Sequence, residues 1–158
     1  MFIIIAVACH SSKKIVLASK KNMSSSAGLV ILRNYAVNAD VRLPEIINYK
    51  FIITAEEFHN TFHMTKATPG TAIVPDFNSQ FIAAIILQPT ERVISIDINK
   101  AETDEQNLNI YYTLTDTTSW ITYPHTIKTI AAIPKNDSIE QVNFYKDDVK
   151  QKTLSVND

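Results

Sequence analysis

The clearest hydrophobic pattern in the chain lies between residues 81 and 98. Residues 81–87, FIAAIIL, are wholly apolar, which is typical of a strand buried on both faces. After a short polar turn at residues 88–91 the pattern changes to strict alternation, and Ile94, Ile96 and Ile98 fall on one face of a second strand. The pattern predicts two adjacent strands, the second half-buried and running back along the first.

Five further segments have the composition of strands: residues 29–37, 49–53, 108–115, 127–133 and 142–145. The stretches between them, which include residues 100–107 and 116–126, are expected to be loops. Short connections between successive strands favour antiparallel pairing. We therefore expect a mainly β fold, an antiparallel β sandwich or open barrel of about seven strands with one α-helix.

The single helix is predicted to begin after Thr54. Thr54 and Glu57 have the spacing of a capping box, in which the threonine hydroxyl accepts from the backbone N–H of the glutamate. Phe58 and Phe62 are four residues apart and form an apolar stripe that can dock on the sheet. The helix is expected to end at residues 63–65.

Composition narrows the classes of function. The formal net charge is −1 and the basic residues are scattered, which argues against a nucleic-acid partner. The chain has only two glycines, so no glycine-rich phosphate-binding motif can be written. Its single cysteine, Cys9, excludes an intrachain disulfide and a cysteine-based zinc site. We expect no cofactor.

The N-terminal segment has the pattern of a bacterial lipoprotein signal. An apolar run ending in small residues, MFIIIAVA, is followed directly by Cys9, which would carry the lipid. The alternative is a first strand with Cys9 as a buried thiol. The lipoprotein pattern predicts a signal at residues 1–9, a flexible polar tether at 10–26, a single β-rich domain at 27–146 and a polar, frayed tail at 147–158.

The order of these motifs resembles a known family. The segments TAEEFHNTF, PDFNSQFIAAIIL, VISIDI, LNIYYTL and IKTIAAIPK resemble the C-terminal domain of the PrcB-type proteins and related small envelope lipoproteins. The resemblance covers about residues 51–145, and its most specific parts are Asp76 with the apolar strand after it and the closing Pro134-Lys135. It implies a non-catalytic lipoprotein, anchored to the outer membrane of the cell envelope, that binds and stabilises a surface protease or another complex.

One departure from that family concerns the turn after the central strand. The family has Thr-Gly-Gly-Tyr there, and this chain has Pro89, Thr90, Glu91 and Arg92. If the turn binds the partner, its recognition chemistry has changed in this protein.

Two loops are the predicted partner-binding surface. They are residues 88–92 and 119–125, and their candidate contact residues are Pro89, Thr90, Glu91, Arg92, Trp120, Tyr123 and His125. In a second interpretation Trp120, Tyr123 and Tyr111 form a stacking platform for a carbohydrate or other small ligand. In a third, Trp120 closes the end of the hydrophobic core, as large aromatic residues commonly do.

Catalytic and metal-binding patterns are weak. His59 and His63 are four residues apart on the predicted helix and could share a metal ion, or they are polar neighbours of the Phe58 and Phe62 stripe. Asp76 has no identifiable partner for acid–base chemistry. The sequence therefore predicts a protein that is not an enzyme.

Overall fold

The computed structural model describes residues 28–65 and 73–156. These residues form ten strands and one helix, in the following order. The elements are β1 (Val30–Ile31), β2 (Tyr35–Val37), β3 (Ile47–Ile52), α1 (Ala55–Thr61), β4 (Phe62–Met64), β5 (Gln80–Leu87), β6 (Thr90–Asp104), β7 (Asn107–His125), β8 (Lys128–Pro134), β9 (Gln141–Lys146) and β10 (Val149–Ser155).

The strands form two four-stranded sheets and one two-stranded sheet. The first sheet has the order β1-β8-β5-β3, the second has the order β10-β9-β7-β6, and β2 pairs with β4. All pairs are antiparallel except β7 with β9, which is parallel. The two larger sheets share a buried apolar cluster, so the predicted mainly β fold is confirmed, and the architecture is that of a sandwich.

The central strand β5 is buried on both faces, as its apolar sequence predicts. Ala83, Ile85 and Leu87 contribute to the cluster shared with the second sheet. The alternate residues, Ile82 among them, belong to a second cluster that also contains Phe58 of α1. The first sheet is therefore the middle of three layers, between the second sheet and the layer that holds α1 with the two-stranded sheet.

Strands β5 and β6 lie in different sheets, so the prediction that they run side by side is wrong. The partners of β5 are β3 and β8, and β6 pairs with β7. The predicted alternation is confirmed, since Ile96 and Ile98 are buried and Ile94 is partly buried against the same core. A period of two shows which face of a strand is buried but not which strand lies beside it.

The start of α1 is as predicted and its end is not. The backbone N–H of Glu57 donates to Thr54 Oγ1 at 3.2 Å, which caps the helix. The helix ends at Thr61, because Phe62 has φ −132° and ψ 146°, and Phe62–Met64 continues as β4. Phe62 is still buried beside Phe58, with ring centroids 5.4 Å apart.

Two predicted loops are strand instead. The charged stretch 100–107 contains the end of β6 and the start of β7, so the connection shrinks to Glu105 and Gln106. Glu105 has φ +53°, the left-handed conformation of a tight turn. The stretch 116–126 is almost entirely the second half of β7.

The ends of the domain also differ from the prediction. The predicted strand at residues 29–37 is divided into β1 and β2, because the chain leaves the first sheet after the Leu32 N–H donates to Ile130 O at 2.8 Å. The predicted tail at 147–158 contains β10, paired antiparallel with β9. The ordered domain therefore continues past residue 146, and it has ten strands rather than about seven.

Candidate functional site

The two predicted contact segments lie side by side. Thr90 is paired with His125, and Arg92 with Trp120, across β6 and β7. Both strands adjoin the first sheet here, because only residues 88–89 separate β5 from β6 and only residues 126–127 separate β7 from β8. We call residues 90–94 of β6 and 116–125 of β7 the corner ribbon, since this is where the chain passes between the two sheets.

Extra residues in β7 shape the corner ribbon. Residues 116–125 of β7 lie opposite only residues 90–94 of β6, with register shifts on both sides of Arg92. Such bulges bend a strand and increase its twist, as is needed where strands change sheets. Thr118 has φ +60°, and its N–H donates to Asp116 Oδ1 at 2.9 Å. Thr117 Oγ1 donates to Val93 O at 3.0 Å and ties the bulge to β6.

The corner ribbon exposes large apolar side chains. Trp120 is 69% exposed, Tyr123 78% and Ile121 38%. The interpretation in which Trp120 closes the end of the core is therefore wrong. The reason is local: every residue from Thr117 to His125 is exposed, because the excess length of β7 carries the segment outside the sandwich.

Arg92 holds the exposed indole in place. Its guanidinium lies over the Trp120 ring, 5.7 Å from the centroid, and its Nη2 is 2.6 Å from Asp116 Oδ2. The Arg92 Nε is buried and makes no hydrogen bond to a described residue. A partly exposed ion pair contributes at most about 1 kcal/mol to stability. Its main consequence here is that it restricts the arginine and, through it, one face of Trp120.

The other predicted contact residues line the same end of the molecule. Pro89 and Glu91 are exposed. Gln88 and Pro89 form part of a groove of about 490 Å³ that also includes Leu43 and Thr126. Gln88 Nε2 donates to Leu43 O at 2.7 Å and fixes the connection between the sheets. Thr90, Glu91 and Arg92 of the predicted turn are thus the first residues of β6 and part of the corner ribbon.

Tyr111 lies outside this site. It stacks on Tyr145, with centroids 5.0 Å apart and planes 20° from parallel. Lys100 lies over the Tyr111 ring and Lys150 over the Tyr145 ring. Register pairs join the four residues in one row across the outer face of the second sheet. The three-ring platform of Trp120, Tyr123 and Tyr111 is therefore not assembled.

The proposed histidine pair does not share a helix face. His59 belongs to α1, but His63 belongs to β4, beyond the end of the helix. The His63 Nδ1 is 2.7 Å from Asn38 Oδ1. This hydrogen bond joins β4 to the residue that follows β2. Residues 28–65 and 73–156 contain no cluster of three or more His, Cys, Asp or Glu side chains suited to a metal ion.

The Asp76 carboxylate is engaged in hydrogen bonds within its own turn. It accepts from Ser79 Oγ at 2.8 Å and from the Asn78 N–H at 3.0 Å. The Ser79 hydrogen bond, followed by that of Asn78, lowers the pKa of Asp76. These hydrogen bonds stabilise the turn before β5. A carboxylate whose charged form is stabilised by hydrogen bonds is a poor general base.

Sequence reasoning missed two members of the site, Asp116 and Ile121. Both were assigned to a loop, although residues 113–118, TLTDTT, are rich in the β-branched residues of a strand. Extending β7 through this segment would have placed Asp116 opposite Ile94, close to Arg92.

The remaining predictions concern residues outside the described part of the chain. Cys9, the signal at 1–9 and the tether at 10–26 lie there. In the described part, no helix is long and apolar enough to cross a membrane. Comparison of the chain with protein-family models, with curated proteins and with solved structures finds no match.

Proposed function

We propose that this chain is a non-catalytic protein-binding domain that contacts its partner through the corner ribbon. The observation that carries the proposal is the exposure of Trp120, Ile121 and Tyr123 on one paired segment. Tryptophan and tyrosine are enriched among the residues that dominate binding energy at protein interfaces. Apolar clusters exposed on a folded domain commonly mark such interfaces.

The geometry around Trp120 supports this role. Binding costs less conformational entropy when a contact side chain is already held in one orientation. Arg92 and Asp116 provide that restraint, and the hydrogen bond from Thr117 to Val93 anchors the bulge beneath them. The charges of Arg92 and Asp116 also offset one another, which suits a partner surface with an apolar centre and a polar rim.

The proposal extends to the location of the protein. We propose that Cys9 is lipidated and that the domain acts at the cell envelope, where a protease or another surface complex is its partner. The support is the apolar run before Cys9 and the resemblance to the PrcB-type proteins. The intact mass of protein purified from native membranes tests this. A chain that starts at Cys9 and carries acyl groups is expected, and an unmodified chain starting at Met1 would contradict it.

Carbohydrate binding is the weaker alternative. Trp120 and Tyr123 are exposed, but Tyr111 is stacked on Tyr145 and lies beneath Lys100. Trp120 is the only tryptophan of the chain, so its fluorescence reports on the corner ribbon alone. If oligosaccharides alone shift that emission at saturable concentrations, the carbohydrate function replaces the proposed one.

A photocrosslinking amino acid tests the protein-binding proposal. It is introduced at Tyr123 and, as the control, at Val149, which is 62% exposed on β10. In cells of the native source, the Tyr123 position is expected to give one dominant protein adduct that is lost with Trp120→Ala. The Val149 position is expected not to give this adduct. Equal adducts at both positions, or none at Tyr123, would refute the proposal.

A further inference from the structure

Strand β6 is an edge strand of the second sheet. Among the described residues it pairs only with β7, at the end of the second sheet. It is 15 residues long, whereas strands are usually about 3–10 residues long. An edge strand presents a row of backbone N–H and C=O groups, which is a template for another extended chain.

A groove runs beside this edge. Across the sandwich, β1 pairs with β8 at Val30 and Ile31, and the Leu32 N–H donates to Ile130 O, so the first residues of β8 have no partner in β1. The resulting space of about 320 Å³ is lined by segments of β6 and β8 and by the end of β1. Ile96, Ile98 and Ile130 lie at its floor, but each is less than a tenth exposed, so the surface that an occupant meets is mainly polar.

The charges lining this edge groove favour an acidic occupant. Arg33, Lys128 and Asp97 line it, and none of the three forms a salt bridge with another described residue. The lining thus has two cations against one carboxylate. Acidic side chains on an extended segment would match this excess of positive charge.

We propose that an extended acidic segment of the partner protein adds to the edge of β6 as a further strand and fills the edge groove. Main-chain hydrogen bonds to β6 would supply affinity, and alternate side chains in the groove would supply selectivity. The inference rests on the proposed protein-binding function. Because residues 90–94 of the corner ribbon belong to the same strand, one partner can contact both surfaces.

The test uses the full chain and fluorescein-labelled peptides of about eight residues, the length of an ordinary strand. One peptide alternates valine with glutamate, one alternates valine with lysine, and one is the acidic peptide with alternate backbone nitrogens methylated. Binding is followed by fluorescence anisotropy, and hydrogen–deuterium exchange locates the amides that gain protection. We expect the unmethylated acidic peptide to bind more tightly than the other two and to protect amides of β6.

The variant Arg33→Glu/Lys128→Glu should weaken acidic-peptide binding at least about tenfold, since it removes two ion pairs of ordinary surface strength. The matched control is Arg42→Glu, an exposed arginine outside the groove, and it should bind like the unmodified chain. Circular dichroism checks that each variant is folded. The exchange experiment on the unmodified chain remains decisive if the double variant does not fold.

Three results would overturn the inference: no preference for the acidic peptide, binding that leaves β6 unprotected, or β6 already protected by a second copy in a dimer seen by sedimentation. Peptide binding without a Tyr123 adduct would refute only the proposed role of the corner ribbon, since the peptide binds at the edge of β6. The Tyr123 adduct without peptide binding would refute only strand addition to β6.

Discussion

A hydrogen-bonded pair of tyrosine hydroxyls joins the two large sheets and allows a quantitative prediction. The Tyr49 hydroxyl on β3 and the Tyr112 hydroxyl on β7 are 2.6 Å apart. Tyr112 is 1% exposed, and Tyr49 is half-buried and also packs against Phe144 at 4.9 Å between centroids. Replacing either residue with phenylalanine removes one hydroxyl and leaves the other without this partner.

The two single substitutions should differ in cost. Tyr49→Phe leaves the fully buried Tyr112 hydroxyl unsatisfied, which costs about 2 kcal/mol of unfolding free energy. Tyr112→Phe leaves the Tyr49 hydroxyl without this partner. Because Tyr49 is only half-buried and water can reach it more easily, we expect a loss of about 1 kcal/mol of unfolding free energy. The double variant replaces both partners by apolar rings and should cost about 1 kcal/mol, since neither hydroxyl is then left unpaired.

Urea unfolding followed by far-UV circular dichroism measures these three differences. The expected values give a coupling free energy of about 2 kcal/mol between the two positions. Exposed Tyr123→Phe is the control for the chemistry of the substitution and should change stability by less than about 0.5 kcal/mol. Costs of the single variants that add within about 0.5 kcal/mol would show that the hydroxyls do not stabilise one another, and the reasoning would fail.

Three further predictions concern alkaline pH, the helix cap and a turn. Burial raises the pKa of Tyr112 and of Tyr49 above the ordinary value, so the folded chain retains protons that the unfolded chain releases. Stability should then be complete below about pH 10 and fall above it by up to about 1.4 kcal/mol per pH unit for each tyrosine. Alkaline urea titration should show a shallower fall for the double phenylalanine variant, and an equal slope would contradict the assignment. Thr54→Ala should lower the unfolding free energy by about 1 kcal/mol through loss of the cap, whereas Thr54→Ser should nearly retain it; equal losses in chemical denaturation would refute the capping role. Asp148 has φ +64° in the turn between β9 and β10. Asp148→Gly should therefore raise the unfolding free energy by about 0.5–1 kcal/mol and raise the thermal midpoint, whereas Asp148→Val should lower both. The opposite order would show that backbone strain does not limit stability at this turn.

Several elements follow directly from local sequence. The run of apolar residues at β5 predicted a strand covered on both faces, and both clusters do meet there. The capping box at Thr54 located the start of α1. The alternation at Ile96 and Ile98 identified the buried face of β6. Each of these depends on neighbours within a few residues, which is the range over which periodicity and capping act.

The residues of the candidate site were named from the sequence, but their arrangement was not. Thr90, Arg92, Trp120 and His125 were assigned to two separate loops, and only the pairing of β6 with β7 brings them together. Whether Trp120 closes the core or faces solvent depended on the excess residues of β7. Sequence pattern does not report such a bulge, because the bulge is defined by the opposing strand.

Local sequence is sufficient to identify which segments are apolar on one face, on two faces or on neither, and where the helix begins. Only tertiary packing establishes which strands are partners, including the separation of β5 from β6 and the addition of the polar segment 149–155 as β10. This is because strand pairing is made by backbone groups, which every residue carries. A polar segment such as β10 can therefore complete a sheet whenever a neighbouring edge is presented to it.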